Sequence, residues 1–420
     1  MRQIFVYENW RGASPTLIGT LYVEISRGKE ICSFEYDNEW LKNSGGFILD
    51  PDLSLFKGRQ FAPVDKELFG IFEDSCPDRW GRTLMDRRES ILARAESRKP
   101  RSLTESDYLL GVHDMSRMGA LRFKTNENGA FLSDNSDMAA PPWVALRKLN
   151  DAVTALENDP IHSDKWLQML IAPGSSLGGA RPKANVVAPD GSLWIAKFPS
   201  KNDKINCSAW EKSVYELAEM CGLTVSESRL EKFSKYGSTF LVKRFDRDFD
   251  RRIHFTSAMA LLGGKDGENN YGYTDIASFI KSAGANPKKD LVELWKRIVF
   301  NILVSNTDDH LRNHGFLLSE KGWILSPLFD VNPNPYGEYL SLNITETDSA
   351  LSLELALEAS GLYGMSSATA KKDIAEMKKI VSENWRQIAT KNGISRSEQS
   401  FMESAFVVAE KIFLEKRKNQ

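Results

Sequence analysis

The residues best suited to chemistry lie between Asn306 and Asp330, in NTDDHLRNHGFLLSEKGWILSPLFD. Two adjacent carboxylates, Asp308 and Asp309, are followed by His310 and then Asn313. A hairpin pattern comes next: Gly315 to Leu318, a Ser-Glu-Lys-Gly turn, then Trp323 to Leu325. Asp330 stands just beyond it, after Leu328 and Phe329. The intervals are 5 residues from Asp308 to Asn313 and 22 from Asp308 to Asp330. Phosphoryl transfer needs this set. One carboxylate orients the attacking hydroxyl and accepts its proton. An Asn oxygen and a second carboxylate hold magnesium on the phosphates. Antiparallel strands bring their ends together, so the hairpin returns the second acid to the first. Taken singly, these residues are ordinary turn formers; the ordered set is what points to chemistry.

A second candidate segment lies upstream, in SSLGGARPK at 175–183. Glycines let a backbone approach phosphate oxygens and offer them N–H groups. The Walker spacing is absent, and taken alone the segment reads as an interdomain loop. Lys197 gives it weight. It sits on a strand-like run, Ile195-Ala196-Lys197-Phe198, where alternation puts Ile195 and Lys197 on one face. A lysine on such a strand can reach the α- and β-phosphates. Glu211 opens the following helix and is a possible partner for Lys197, with Glu216 and Glu219 as alternatives. Lys243, Arg244 and Phe245 end the next strand, where the backbone of an interlobe hinge would meet an adenine edge.

The elements that must position these groups follow from periodicity. Gln3 to Glu8 and Leu17 to Ile25 read as strands. Pro77 to Glu96 (PDRWGRTLMDRRESILARAE) reads as a helix with Leu84, Ile91 and Leu92 inward. Asn126 to Pro142 has linker composition. Trp143 to Leu170 is helical in pattern. Lys183 to Ala188 and Ser192 to Phe198 form a hairpin around Pro189-Asp190-Gly191. Ala209 to Cys221 is a helix stopped by Gly222, and Gly237 to Arg244 a strand. Leu291, Leu294, Trp295, Ile298, Val299, Ile302 and Leu303 recur on one helical face. The order is a β-rich first part, a small strand-rich lobe and a helical lobe. The expected boundaries are 1–125, a linker at 126–142, a small lobe at 143–243 and a helical lobe at 244–420.

At 420 residues, two or three domains or lobes are expected. The chain is 41% hydrophobic and 27% charged, as globular proteins are. Its 55 Lys plus Arg nearly balance 57 Asp plus Glu, which argues against a protein that coats nucleic acid by itself. MRQIFVYENW lacks a signal-peptide pattern, and no apolar run approaches the roughly 20 residues that span a bilayer. Cys32, Cys76, Cys207 and Cys221 show neither metal nor disulfide spacing, and the 5 histidines are scattered, which argues against zinc. These features point to a cytoplasmic protein without a membrane role.

Six segments together resemble the HipA-like kinases of bacterial toxin–antitoxin pairs. They are PDRWGRTLMDRR at 77–88, GARPK at 179–183, KFP at 197–199, KRFDR at 243–247, NTDDHLRN at 306–313 and LFD at 328–330. Their order agrees over nearly the whole chain. The resemblance implies an α+β, two-lobed protein-kinase-like fold, with a strand-rich N-lobe, a helical C-lobe and an added β-rich N-terminal subdomain. It implies a serine/threonine protein kinase that uses ATP and Mg2+. By position, Asp308 resembles the catalytic aspartate, and Asn313 and Asp330 the magnesium ligands. Lys197 resembles the phosphate lysine. The ATP loop would be Gly178, Gly179, Ala180, Arg181, Pro182 and Lys183. His310 and Phe329 fall where the family contacts nucleotide. Ser176 falls where members phosphorylate themselves and switch off, since a phosphoserine adds nearly two negative charges where ATP phosphates bind.

Two positions depart from the pattern. Asp309 stands where some members carry Gly, and Lys243 where some relatives carry an acid. The resemblance further implies a small helix-turn-helix antitoxin of the HipB type, operator DNA reached mainly through it, and an aminoacyl-tRNA synthetase, such as the glutamyl enzyme, as the phosphorylated protein. Translation and growth would then be inhibited. Two other readings fit parts of the chain: a small-molecule kinase, and an inactive kinase relative acting as a corepressor.

Overall fold

The computed structural model describes residues 1–12, 14–135, 139–158, 170, 181–268 and 271–411. The chain clusters into two compact units. The first is Met1–Asp203, Glu231–Gly267 and Gly315–Leu318; the second is Lys204–Leu230, Glu268–His314 and Ser319–Gln420.

The first unit opens with β1 (Arg2–Glu8), β2 (Thr16–Ser26) and β3 (Lys29–Tyr36). With β4 (Gln60–Phe61) and β5 (Leu121–Lys124) they form an antiparallel sheet in the order β4-β3-β2-β1-β5. The period-two pattern of β1 buries Ile4 and Val6 against Leu21, Phe34, Phe72 and Phe123. The longer helices that follow or interrupt these strands are α1 (Asn38–Asn43), α2 (Arg79–Ala95) and α3 (Glu105–Gly111). Asp78 starts α2, its carboxylate accepting the Gly81 N–H at 2.7 Å. Leu84 is buried and Ile91 packs against the core, but Leu92 is 41% exposed, contrary to the sequence expectation. At about 100° per residue, Leu92 lies roughly 80° around the helix from Leu84 and leaves the stripe.

Further along the same unit, α4 (Leu146–Asn158) lays Leu149, Val153 and Leu156 on a second sheet. That sheet contains β6 (Lys183–Val187), β7 (Leu193–Lys197) and β8 (Thr239–Lys243), paired antiparallel. The hairpin turn between β6 and β7 needs Gly191, at φ +82°. Two short strands, β9 (Arg247–Asp248) and β10 (Arg251–Arg252), follow, and β11 (Phe255–Ser257) pairs with β12 (Gly315–Ser319).

The second unit is mainly helical: α5 (Cys207–Met220), α6 (Tyr273–Ala283), α7 (Pro287–Val304), α8 (Leu353–Ala359), α9 (Ser367–Lys391) and α10 (Arg396–Met402), with the strand β13 (Gly322–Leu325). All seven apolar residues read from the α7 spacing are buried. Trp295 ties α7 to α8 by donating to the Ala356 carbonyl at 2.8 Å. The α5 and α9 helices meet through Trp210 and Trp385, whose ring centres are 6.3 Å apart. No helix among the described residues is long and apolar enough to cross a membrane.

Candidate active site

The helix α7 organises the second unit's candidate residues. Its last turn ends at Ser305, which takes φ +48° and redirects the chain into Asn306-Thr307-Asp308-Asp309. Its first turn and its middle hold the approach to Asp330. Arg297, fully buried, donates to the Ser326 carbonyl at 2.6 Å, and Asp290 accepts the Leu325 N–H at 3.1 Å. Leu328 N–H then bonds the Thr224 carbonyl at 2.8 Å. Asp330 follows at φ +57°, a backbone conformation that L-residues rarely adopt and that recurs at functional sites.

Beyond Asp330 the chain runs back along the Ser305 turn. Asn332 N–H donates to the Asn306 side chain at 3.2 Å, and Asn334 N–H to the Ser305 carbonyl at 3.1 Å. Asn334 Nδ2 donates to Thr307 Oγ1 at 2.8 Å, and Ser341 Oγ to the Thr307 carbonyl at 2.7 Å. Gly337 presses on the same residue: a Cβ there would lie 2.3 Å from Thr307 side-chain atoms. The segments carrying the two acids are thus stitched together on either side of Thr307.

Asp308 is exposed, while its neighbour Asp309 is buried at 1%. Asn313 closes the loop that begins at Asp308, donating its Nδ2 to the Asp308 carbonyl at 3.0 Å. His310 is half-buried and caps the short 3-10 turn Leu311–Asn313. Asp309 Oδ2 accepts from Tyr273 Oη at 2.6 Å, Asn301 Nδ2 at 2.8 Å and His314 Nε2 at 2.8 Å. Burial pushes the Asp309 carboxyl up, but the His314 charge and the surrounding donors outweigh it, and the group sits below its usual range. Burial, with the Asp309 charge second, pushes the Tyr273 hydroxyl well above its usual range. Sequence reasoning passed over Tyr273, Asn301 and His314. The available signal was Asn301, a lone amide in the buried run Ile298-Val299-Phe300-Asn301-Ile302-Leu303.

In the first unit, Lys183 and Lys197 stand opposite each other across β6 and β7, so their side chains leave the same face. Lys183 is deeply buried and meets Asp78 at 2.7 Å. Arg181 grips Asp203 through both oxygens, at 3.1 and 2.7 Å. Pro182 accepts the Phe198 N–H at 2.8 Å, fixing the end of the loop to β7. Ser176, Gly178, Gly179 and Ala180 lie outside the described residues.

The expected hinge residues also lie in this unit. Lys243 pairs with Trp194 at the end of β8, and the Arg244 N–H donates to the Leu193 carbonyl at 2.9 Å. The Arg244 guanidinium is buried in a polar joint rather than presented to solvent. It binds Asp246 at 2.8 and 2.7 Å, the Ser116 carbonyl at 2.8 Å, the Arg117 carbonyl at 3.0 Å and Asn185 at 2.9 Å. Asp246 also accepts the Gly119 N–H at 2.7 Å and Arg247 at 2.6 Å. Burial opposes ionisation of Asp246, yet the charges of Arg244 and Arg247 bring it down to about 2. Phe245 is half-buried, its ring 5.8 Å from that of Phe255.

In the second unit, Phe329 and Asp330 are both half-buried. Of the glutamates on α5, Glu211 is buried, Glu216 pairs with Lys391 at 2.9 Å, and Glu219 is exposed.

The family model of the HipA-like C-terminal domain matches residues 175–389, more than half of the chain. That of the HipA N-terminal domain matches residues 14–124. The chain belongs to the HipA family. The α+β fold agrees: a solved HipA chain, from the Shewanella oneidensis complex of HipA, HipB and operator DNA, superposes with a TM-score of 0.63 at 17% identity, covering 96% of both chains. Among curated proteins, Y4mE of Sinorhizobium fredii, named a candidate kinase, is 30% identical over 37% of this chain and 41% of its own length. A Haemophilus influenzae protein named in the same way is 28% identical over 39% of this chain and 54% of its own. The matched part of this HipA relative therefore spans about half the length of those proteins.

Proposed function

We propose that this HipA-family chain is a serine/threonine protein kinase and the toxin of a toxin–antitoxin pair. The observation that carries the reading is the stitching around Thr307. Through Asn332 and Asn334 it ties the segment after Asp330 to the turn that leads into Asp308. That tie supports a site in which one exposed carboxylate, one amide and a second carboxylate on strained backbone act together.

In this reading Asp308 orients a serine hydroxyl of the substrate protein and takes its proton as the new O–P bond forms. The bond between the γ-phosphorus and its bridging oxygen breaks, and ADP leaves. Asn313 and Asp330 would hold Mg2+, which when bound neutralises phosphate charge. The donor set fits that ion. No cluster of three or more His, Cys, Asp or Glu able to hold a metal occurs among the described residues. Magnesium in such sites needs only one or two protein oxygens besides phosphate and water. Because Asn313 commits its nitrogen to the Asp308 carbonyl, its oxygen is the atom left for a cation.

Lys197 would pair with the α- and β-phosphates, and the loop at 178–183 would cradle them. Lys243 to Phe245, His310 and Phe329 would border the nucleoside. Phosphorylation of Ser176 would switch the enzyme off. The Shewanella complex supports a HipB-like antitoxin and operator DNA as partners. An aminoacyl-tRNA synthetase is the proposed substrate, acted on in the cytoplasm.

The test is incubation of the purified chain with γ-labelled ATP, Mg2+ and a bacterial lysate. Label on one dominant protein band, lost with EDTA and reduced on the order of 10²–10⁴-fold in Asp308→Ala, is expected. Label confined to small metabolites would favour a small-molecule kinase. No Mg2+-dependent turnover at all would favour the inactive corepressor.

A further inference from the structure

The phosphoryl-transfer reading leaves one buried polar cluster without a role. Asp309 is enclosed although Asp308 beside it is exposed. Its three donors come from different places: Tyr273 is the first residue of α6, Asn301 lies inside α7, and His314 directly follows Asn313. Asn301 Nδ2 also reaches Tyr273 Oη at 3.2 Å, and Tyr273 stands edge-on to His314 with ring centres 5.6 Å apart. Asn301 further supports Asn306, whose N–H and Nδ2 donate to its two oxygens at 2.9 and 3.0 Å.

A buried carboxylate is costly, all the more here because Oδ2 takes all three donors while Oδ1 meets none among the described residues, and an apolar residue would fill the same space without that cost. What the carboxylate adds is direction, since each donor must approach along a fixed line. The cluster also sits where direction matters. Asp309 and His314 bracket residues 310–313, and within that bracket Asn313 N–H bonds the His310 carbonyl at 2.8 Å.

We infer that Asp309 is a positioning residue that, with Tyr273, Asn301 and His314, clamps both ends of the Asp308–Asn313 loop and aims the Asp308 carboxylate and the Asn313 oxygen. This rests on the proposed kinase reading. Misplacement of a reacting group by about 1 Å can cost roughly 10²-fold in rate, so a loosened clamp appears in turnover before it appears in nucleotide binding.

The experiment compares His314→Leu, His314→Gln and Tyr273→Phe in the full chain. It measures kcat and KM for Mg-ATP in phosphate transfer, together with the melting temperature. Leu removes the donor, Gln supplies another side-chain N–H, and Phe removes one donor while keeping the ring. The expected result is a kcat about 10–100-fold lower in His314→Leu, with KM for ATP within about twofold of wild type. His314→Gln recovers most of the loss, and Tyr273→Phe falls between. Wild-type kcat in His314→Leu overturns the clamp, as does His314→Gln no better than Leu. So does a kcat loss matched by parallel changes in KM and melting temperature. Should His314→Leu not fold, Tyr273→Phe decides: a lowered kcat at constant KM and melting temperature upholds the clamp, and any other result overturns it. A wild-type chain with no Mg-ATP turnover overturns the kinase reading and the clamp together, whereas an active wild type with unaffected variants overturns the clamp alone.

Discussion

Asp78 and Lys183 form an ion pair 2.7 Å long, with only 1% and 2% of their side chains exposed. The pair joins the start of α2 to the first residue of β6, where the expected phosphate loop ends. It gives a role to the PDRWGR segment, which sequence comparison singles out without explaining. Removing one member strands the other charge in a low-dielectric site. Asp78→Ala is expected to cost roughly 3–5 kcal/mol, of which about 1 is the lost helix cap. Asp78→Ala combined with Lys183→Met should recover much of it. Urea denaturation checks this; a double variant less stable than Asp78→Ala alone would contradict the stranded-charge account.

Asp330 allows function and stability to be separated. Its φ of +57° is strained for any residue with a Cβ and easy for glycine. Asp330→Gly should relieve that backbone strain and abolish Mg2+-dependent transfer. A marked drop in melting temperature would mean that the side chain is needed for folding.

The packing of Gly337 on Thr307 yields a steric prediction. Gly337→Ala puts a methyl 2.3 Å from Thr307 side-chain atoms, so the loop must shift. Because Thr307 precedes Asp308, phosphate transfer should fall by about 10-fold or more, in keeping with the sensitivity of rates to placement. Steady-state kinetics at saturating ATP decides it, and an unaltered kcat counts against the stitching.

Acid stability should report on Asp246. Its carboxyl titrates at about 2 in the folded chain, against about 3.9 unfolded. A depressed folded value means stability that is fully present above the unfolded pKa and lost as pH falls toward the folded one. Ionised Asp246 therefore contributes roughly 2–3 kcal/mol above about pH 4, fading between about pH 4 and pH 2. In denaturant titrations, the gap between wild type and Asp246→Asn should narrow across that window. A constant gap from pH 5 to pH 2.5 would rule out this assignment.

The elements built on periodicity were legible in the sequence. The strands at the front of the chain, the β6–β7 hairpin around Gly191 and the seven buried residues of α7 follow from alternation, turn chemistry and helical spacing. Leu92 shows the limit of such reading: roughly 80° around the helix from Leu84, it falls outside the stripe of α2 that is covered. Long-range polar pairing left no periodic mark. Nothing local tells that Asp309 is enclosed while Asp308 is open, or that Tyr273, 36 positions upstream, reaches it. The same holds for Arg244, whose acceptors include atoms of Ser116, Arg117 and Asn185.

That last arrangement bears on how the chain can be cut and inherited. The Arg244–Asp246 turn is completed by main-chain atoms of Ser116, Arg117 and Gly119. A gene fragment starting at Trp143 would encode a protein with a guanidinium and a carboxylate deprived of these bonds, at a cost of the order of 1–3 kcal/mol for each orphaned group. Recombination that swapped the front of this protein for a stranger's would carry that cost unless the newcomer offered carbonyls and an amide at the same points. A change on either side of this joint is therefore felt by the other.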